Sequence, residues 1–118
     1  MRQPDQENLI YLNDILECIQ DIETYTQAGE VEFMSSKLIQ DAVIRNFEVI
    51  GEATKRLSPE LRQQYSAIPW RRMARFRDVL IHNYMRIDIS TVWSGVQQLL
   101  PLKASLKAIL QAITPPES

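Results

Sequence analysis

Hydrophobic side chains recur every three or four positions along most of the chain, with polar side chains between them. This spacing places them on one face of an α-helix, whereas a half-buried strand would alternate at every second position. In the first such segment several of the intervening side chains are acidic. The pattern predicts helices over residues 5–28, 33–57, 59–65, 69–84 and 89–112.

Local signals refine several of these helices. The Ser58-Pro59-Glu60 segment has the order of an N-cap, a first-turn proline and a first-turn acid, so it predicts a helix start. Asp88 predicts the cap of the last helix, and Pro101 should kink or split that helix because it lacks a backbone N–H. Gly51 lies inside the second predicted helix, where glycine costs about 1 kcal/mol relative to alanine. We expect another helix to approach closely at Gly51, and we assign it no catalytic role.

The predicted elements form an all-α fold, an up-and-down bundle of four main helices with one short extra helix. We expect one domain over residues 1–113 and a flexible tail over 114–118. No apolar run is long enough to span a membrane and the first residues lack a signal-peptide core, so we expect a cytoplasmic protein without membrane contact. Cys18 and His82 are the only residues of their types, so we expect no intramolecular disulfide, no metal site and no cofactor.

Charge is distributed unevenly along the chain, whose net charge is −2. Residues 1–34 contain eight acidic side chains and one arginine, whereas residues 70–86 contain five arginines and one aspartate. The overall acidity argues against indiscriminate coating of nucleic acid. A local arginine cluster can still bind a few phosphates, although a charged run is more often only a solvated helix face. The position of this cluster beside the single histidine favours RNA-phosphate binding by Arg71, Arg72 and Arg75.

The segment from Arg77 to Tyr84 gathers groups that suit chemistry on a phosphodiester. Arg77 carries a permanent charge on a planar guanidinium whose donors fit a phosphate. His82 titrates near neutrality and can transfer a proton at pH 7. Tyr84 adds a phenol two positions later. This combination requires no metal ion.

The same segment resembles the ribonuclease motif of the HEPN family, whose toxin branch carries Arg-x4–6-His. Arg77 and His82 have the x4 spacing, and Asp78 fits the polar residue that the family tends to place after the arginine. His82-Asn83-Tyr84 is similar to an extension of the HepT-type toxins. The resemblance extends over most of the chain, roughly residues 8–112. Two further segments resemble HepT-type sequences in the expected order: Arg45–Ala53 and Ile68–Met73.

This resemblance implies the toxin of a type VII-like HepT/MNT toxin–antitoxin system, where MNT denotes a minimal nucleotidyltransferase. The implied activity is metal-independent endoribonuclease cleavage of RNA, with transfer RNA as the first candidate substrate. The implied partners are RNA, a second copy of the chain in a homodimer, and a cognate nucleotidyltransferase antitoxin. In HepT-type systems that antitoxin transfers AMP to the tyrosine that corresponds to Tyr84, so Tyr84 is the expected AMP acceptor.

The motif residues would have separate tasks in RNA cleavage. His82 would take the proton of the attacking ribose 2′-OH or donate one to the leaving 5′-oxygen. Arg77 would neutralise the charge that builds on the phosphoryl oxygens. Asp78, four positions before His82, would either orient the imidazole or pair with a nearby arginine. The spacing is equally compatible with both roles of Asp78.

Helical geometry separates the two main catalytic candidates. At 100° per residue, Arg77 and His82 lie about 140° apart around a regular helix, whereas Arg77 and Tyr84 share a face. The arginine stem could wrap toward the histidine, or the helix could unwind near Asn83. Alternatively, a two-fold dimer could place Arg77 of one subunit beside His82 of the other. We favour the dimer, because a two-fold interface repeats the same patch on both subunits.

The sequence leaves a second class of function open, a non-catalytic helical dimer. Such a dimer would bind nucleotide or RNA, or would dock a nucleotidyltransferase. The set of Arg77, Asp78 and His82 favours the ribonuclease, because a purely structural module has no need of it. Trp70 and Trp93 share helical spacing with other apolar residues, and we predict that both lie in the core.

Overall fold

The computed structural model describes residues 4–116, and for Pro4, Asp5 and Tyr84 it describes the backbone but not the side chain. The first residues of the predicted domain and the last two of the predicted tail lie outside that part. Within it the chain is all-α and contains no strand, as predicted. Short 3-10 turns cover Tyr84–Arg86 and Leu100–Leu102. The helices are α1 (Pro4–Tyr25), α2 (Glu30–Ser35), α3 (Lys37–Arg56), α4 (Pro59–Gln64), α5 (Trp70–His82), α6 (Ile89–Leu99) and α7 (Lys103–Ile113).

The segment predicted as one helix over residues 33–57 is two helices. Gly29, whose φ of 97° lies in the left-handed region that glycine tolerates, precedes α2. Ser36 then adopts an extended conformation with φ −115° and ψ 106°, which interrupts the helix. The Ser36 hydroxyl accepts a hydrogen bond from the backbone N–H of Ile39 at 3.2 Å and so caps α3. The prediction failed at Ser36 because the apolar periodicity continues across this cap.

The predicted caps at Ser58 and Asp88 and the predicted break at Pro101 are confirmed, whereas α1 ends at Tyr25 instead of residue 28 and α5 ends at His82 instead of residue 84. Ser58 caps α4 by accepting a hydrogen bond from the Leu61 N–H at 3.2 Å. The buried side chain of Asn8 in α1 bonds to both polar groups of Ser58, donating to its Oγ at 3.0 Å and accepting from its N–H at 2.9 Å. Asp88 caps α6 by accepting from the Ser90 N–H at 3.0 Å. Pro101 splits the last predicted helix into α6 and α7 through the second 3-10 turn.

Helix α3 packs against both α1 and α5, while α1 also packs against α7. The tryptophans lie in or against the core, as predicted. Trp70 is buried and its indole N–H donates to the Tyr65 carbonyl at 3.0 Å, and the Trp93 ring packs 5.2 Å from that of Phe33. Within residues 4–116, no helix combines the length and apolar character needed to cross a membrane. The largest fully buried side chains of the described residues are Phe33, Leu12, Ile15, Ile19, Ile22, Ile50, Leu57, Leu80 and Leu106.

Gly51 of α3 brings α5 close to α3. A Cβ placed on Gly51 would overlap with the Cβ of Arg77 and would lie 3.2 Å from its Cγ and Cδ. The expectation that another helix approaches at Gly51 is therefore confirmed. The approaching residue is the arginine of the candidate motif, so this contact fixes where the base of the Arg77 side chain lies.

Candidate active site

Helix α5 ends at the histidine of the motif. Asn83 leaves the helical conformation with φ −111° and ψ 26°, and its side-chain amide donates to the Val79 carbonyl at 2.9 Å. Both Arg77 and His82 lie inside α5, so the separation of about 140° holds for them. Unwinding near Asn83 was one way to bring the two side chains together. The helix ends only after His82, so its end does not turn His82 toward Arg77.

The guanidinium of Arg77 lies over α3 and is only 28% exposed. Its Nε is 3.5 Å from the Oε2 of Glu52, and its Nη1 is 3.5 Å from the Oδ1 of Asp78. Glu52 also accepts a hydrogen bond from Arg56 at 3.2 Å, and Asp78 accepts one from Lys55 at 2.7 Å. These five side chains form a charge row in which cations and anions alternate: Arg56, Glu52, Arg77, Asp78 and Lys55.

Asp78 contacts two cations, Lys55 and Arg77. The Lys55 hydrogen bond lowers the pKa of the Asp78 carboxyl below its ordinary value, and the charges of Lys55, Arg77 and His82 add to that effect. Among the described contacts of Asp78, none is a hydrogen bond to the His82 imidazole. Of the two roles that the sequence left open, pairing with a cation is the one seen, and it involves a lysine as well as the arginine.

His82 is exposed at the end of α5. Its side chain lies on the same helix face as that of Arg75, because the two residues are seven positions apart, which is about two helical turns. Arg71 precedes Arg75 by one turn on this face. Arg71, Arg72 and Arg75 are exposed, and all three line an open groove between α5 and α6. The predicted phosphate-binding arginines are therefore brought together on the His82 side of α5, away from Arg77.

Apolar side chains are exposed around the end of α5. Val79 is 48% exposed, Ile81 is 42% exposed and Met85 in the following turn is 87% exposed. Leu80, between Val79 and Ile81, is buried. Val79 and Ile81 are two positions apart and therefore lie on opposite flanks of α5.

Tyr84 lies outside α5. The first 3-10 turn begins at this residue, so the argument that Tyr84 shares a helical face with Arg77 is wrong. The Tyr84 side chain is not among those described, and its role as AMP acceptor stays a prediction.

The contacts of Lys55 with Asp78 and of Glu52 with Arg77 were not predicted from the sequence. Lys55 belongs to no sequence motif, and Glu52 is recognisable in the sequence only as the i, i+4 neighbour of Arg56. Both contacts cross from α3 to α5, so no spacing along one helix reveals them. No group of three or more His, Cys, Asp and Glu side chains suited to hold a metal ion occurs in the described part of the chain.

The fold and the site define an all-α protein in which one helix carries an arginine held against its neighbour and a histidine at its exposed end. Residues 15–113 match the family described as ribonuclease HepT-like. The chain therefore belongs to the HepT-like ribonuclease family, and a ribonuclease is the class of enzyme that this membership supports. No solved structure matches the chain significantly.

Several relatives carry ribonuclease names. A protein of Methanocaldococcus jannaschii named "Gamma-glutamylcyclotransferase and putative RNase" is 45% identical over 88% of this chain, and the chain spans 48% of its length. A second protein of that organism, named "Putative RNase", is 38% identical over 93% of each chain. A "Probable ribonuclease HepT" of Thermococcus cleftensis is 44% identical over 77% of this chain and 84% of its own length.

Proposed function

We propose that the chain is the toxin of a HepT/MNT toxin–antitoxin pair and cleaves RNA, with transfer RNA as the first candidate, without a metal ion. The observation that carries the catalytic part is the arrangement at the end of α5. Arg77 is held against α3 by an ion pair, whereas His82 is exposed on the opposite side of the helix. Both groups suit phosphodiester cleavage, but one subunit separates them.

A second copy of the chain would complete the site. A two-fold axis near the end of α5 would bring the His82 side of one subunit toward the Arg77 side of the other. Ile81 and Met85, exposed at and just after the end of α5, supply apolar side chains that such an interface would bury. In this homodimer each cleft takes its arginine from one subunit and its histidine from the other.

The reaction divides between these two groups. The imidazole of His82 accepts the proton of the ribose 2′-OH as that oxygen attacks phosphorus, or protonates the 5′-oxygen as it leaves. The guanidinium of Arg77 stabilises the charge on the phosphoryl oxygens. Its Nε faces Glu52 and its Nη1 faces Asp78, so the other terminal nitrogen, Nη2, is the natural donor to phosphate. The products are a 2′,3′-cyclic phosphate and a free 5′-hydroxyl.

Control by the antitoxin is the other part of the proposal. AMP transferred to the Tyr84 hydroxyl adds a bulky, negatively charged group two residues after His82. The added phosphate would compete with an RNA phosphate for the arginines near the cleft. The nucleotidyltransferase supplies the ATP and magnesium sites for this transfer.

Mixing two inactive variants tests the shared site. Arg77→Ala retains His82, and His82→Ala retains Arg77, so a dimer of one with the other contains one complete cleft and one empty cleft. Random reassociation after unfolding makes about half of the dimers mixed, and the mixture should recover about a quarter of wild-type RNA cleavage. Each variant refolded alone is the control. A mixture as inactive as the two variants would contradict the shared site.

A further inference from the structure

An open groove lies between α5 and α6, on the outer side of the bundle. Its volume is about 1130 Å³. One wall carries Arg71, Arg72 and Arg75 of α5, and the other carries the small polar side chains of α6, Ser90, Thr91 and Ser94. The floor between them is apolar and includes Phe76 and Met73. We call this feature the α5–α6 groove.

The charge of the α5–α6 groove is entirely positive. None of its lining residues is acidic. Among the described side chains, no carboxylate pairs with Arg71, Arg72 or Arg75, and Arg72 makes a hydrogen bond of 3.4 Å to the neutral amide of Gln98. The chain has more acidic than basic side chains, with a net charge of −2, yet none of the described carboxylates pairs with these three arginines. The occupant that complements this surface is a polyanion.

The floor of the groove offers an aromatic ring. Gly95 of α6 has no side chain to cover Phe76, since a Cβ there would lie 3.0 Å from the Phe76 Cε2. Phe47 supports the same ring from below in an edge-to-face contact, with ring centroids 4.8 Å apart. Phe76 is only partly buried. An unpaired nucleobase can stack on such a ring, whereas the bases of a duplex are already stacked on one another.

The groove leads to the candidate active site. Arg75 and His82 are seven residues apart on one face of α5, which corresponds to about 10 Å along the helix axis. Val79, between them, lines the end of the groove. A strand that lies in the groove therefore continues along α5 toward the imidazole.

We propose that the α5–α6 groove is a subsite for single-stranded RNA next to the cleaved bond. Arg71, Arg72 and Arg75 bind phosphates of the strand, and an unstacked base lies on Phe76. This inference rests on the proposed function, which supplies RNA as the ligand. It adds a substrate class, because only an unpaired segment can occupy the apolar floor.

Binding of a probe that cannot be cleaved tests the subsite separately from catalysis. The probe is a fluorescent 2′-O-methyl RNA oligonucleotide, used as a single strand and as a duplex, and the readout is anisotropy over a range of salt concentrations. Arg72→Ala and Arg75→Ala should each weaken single-strand binding about fivefold or more and reduce the salt dependence by about one phosphate contact. Ser94→Leu, which obstructs the floor, should weaken binding similarly without changing the salt dependence. The duplex should bind about tenfold more weakly than the single strand to the wild type.

Lys107→Ala is the matched control, because Lys107 is an exposed cation on α7 that does not line the groove. Unchanged binding in the groove variants, or equal binding of duplex and single strand, would overturn the subsite. Light scattering of the same variants tests the alternative occupant of the groove, a second copy of the chain. A loss of dimer in Ser94→Leu would identify the groove as a subunit interface and would also overturn the proposal. Groove-dependent binding by a wild type that cleaves no RNA would refute the ribonuclease and leave the subsite standing.

Discussion

Gly51 of α3 and Arg77 of α5 are in such close contact that residue 51 has no room for a side chain. The stem of the candidate catalytic arginine occupies the space that a Cβ would need. Glu52, the next residue of α3, then contacts the Nε of the same arginine. One short segment of α3 therefore sets both the position of the arginine backbone and the direction of its guanidinium.

Gly51→Ala should push α5 away from α3. Alanine favours a helix by about 1 kcal/mol over glycine, but the overlap with Arg77 should cost about 1–3 kcal/mol. We expect a net loss of stability in urea unfolding and a loss of RNA cleavage at temperatures where the variant is folded. Gly29→Ala is the control. It strains a residue with φ of 97°, at which an added Cβ would meet no atom within 4 Å, so it should lose stability but not cleavage. Full cleavage by folded Gly51→Ala would contradict the role of this contact.

His82→Ala and Arg77→Ala should each lower the rate of RNA cleavage about a hundredfold or more, because each removes a group that acts on the reacting atoms. Cleavage by the wild type should persist in EDTA and leave a 2′,3′-cyclic phosphate end. Circular dichroism should show that both variants remain helical. Wild-type rates in both folded variants would rule out this catalytic pair.

Glu52→Ala should lower kcat about tenfold and change KM little, because Glu52 orients Arg77 and does not itself face the substrate. Glu52→Gln keeps an acceptor for the Nε–H and should recover part of the loss. Glu48→Ala is the matched control, since Glu48 lies one turn earlier on α3 and pairs with Arg45. Equal kcat in Glu52→Ala and Glu48→Ala would show that the ion pair has no positioning effect.

The Asp78 carboxyl should titrate below its ordinary pKa of 3.8, because Lys55 donates a hydrogen bond to its charged form. A carboxyl whose pKa is lowered by folding contributes stability above the ordinary value, and loses that contribution as the pH falls through the folded pKa. Lys55→Met should raise the pKa of Asp78, which NMR titration of the carboxyl carbon can follow. An unchanged Asp78 pKa in that variant would show that the pair does not form in solution.

Tyr84→Phe should block AMP transfer. Incubation of the wild type with the cognate nucleotidyltransferase and ATP should add one or more AMP units and abolish RNA cleavage. Tyr84→Phe should remain unmodified and active under the same conditions. Tyr25 is 41% exposed, so Tyr25→Phe is the matched control and should be modified like the wild type. Modification that persists in Tyr84→Phe, or that peptide sequencing places on Tyr11, Tyr25 or Tyr65, would refute the assignment.

Features that depend on neighbours along the chain were predictable from the sequence. Ser58 and Asp88 cap their helices as predicted, and Pro101 splits the last one, because each acts within one turn of its own position. The break at Ser36 was missed because Ile39 stands where the capping-box pattern would place a glutamate or glutamine. The end of α5 at His82 has no glycine or proline to mark it.

Features that depend on contacts between helices were predictable only in part. Gly51 indicated that some helix approaches α3, but nothing at that position identifies Arg77 as the neighbour. Glu52 and Arg56 have the i, i+4 spacing of an ordinary pair on one helix, and that pair does form. The contact of Glu52 with Arg77 could not be predicted without knowing how α3 and α5 are aligned. The same alignment brings Lys55 to Asp78.

The charge row around Arg77 contains three cations and two anions, so its sum is one positive charge. A phosphodiester carries one negative charge and would leave the row neutral, with no carboxylate required to gain or lose a proton. Replacing any one of the three cations by a neutral residue cancels this surplus before RNA arrives. The net charge of this row, which α3 and α5 carry together, therefore balances one internal phosphate of a polynucleotide.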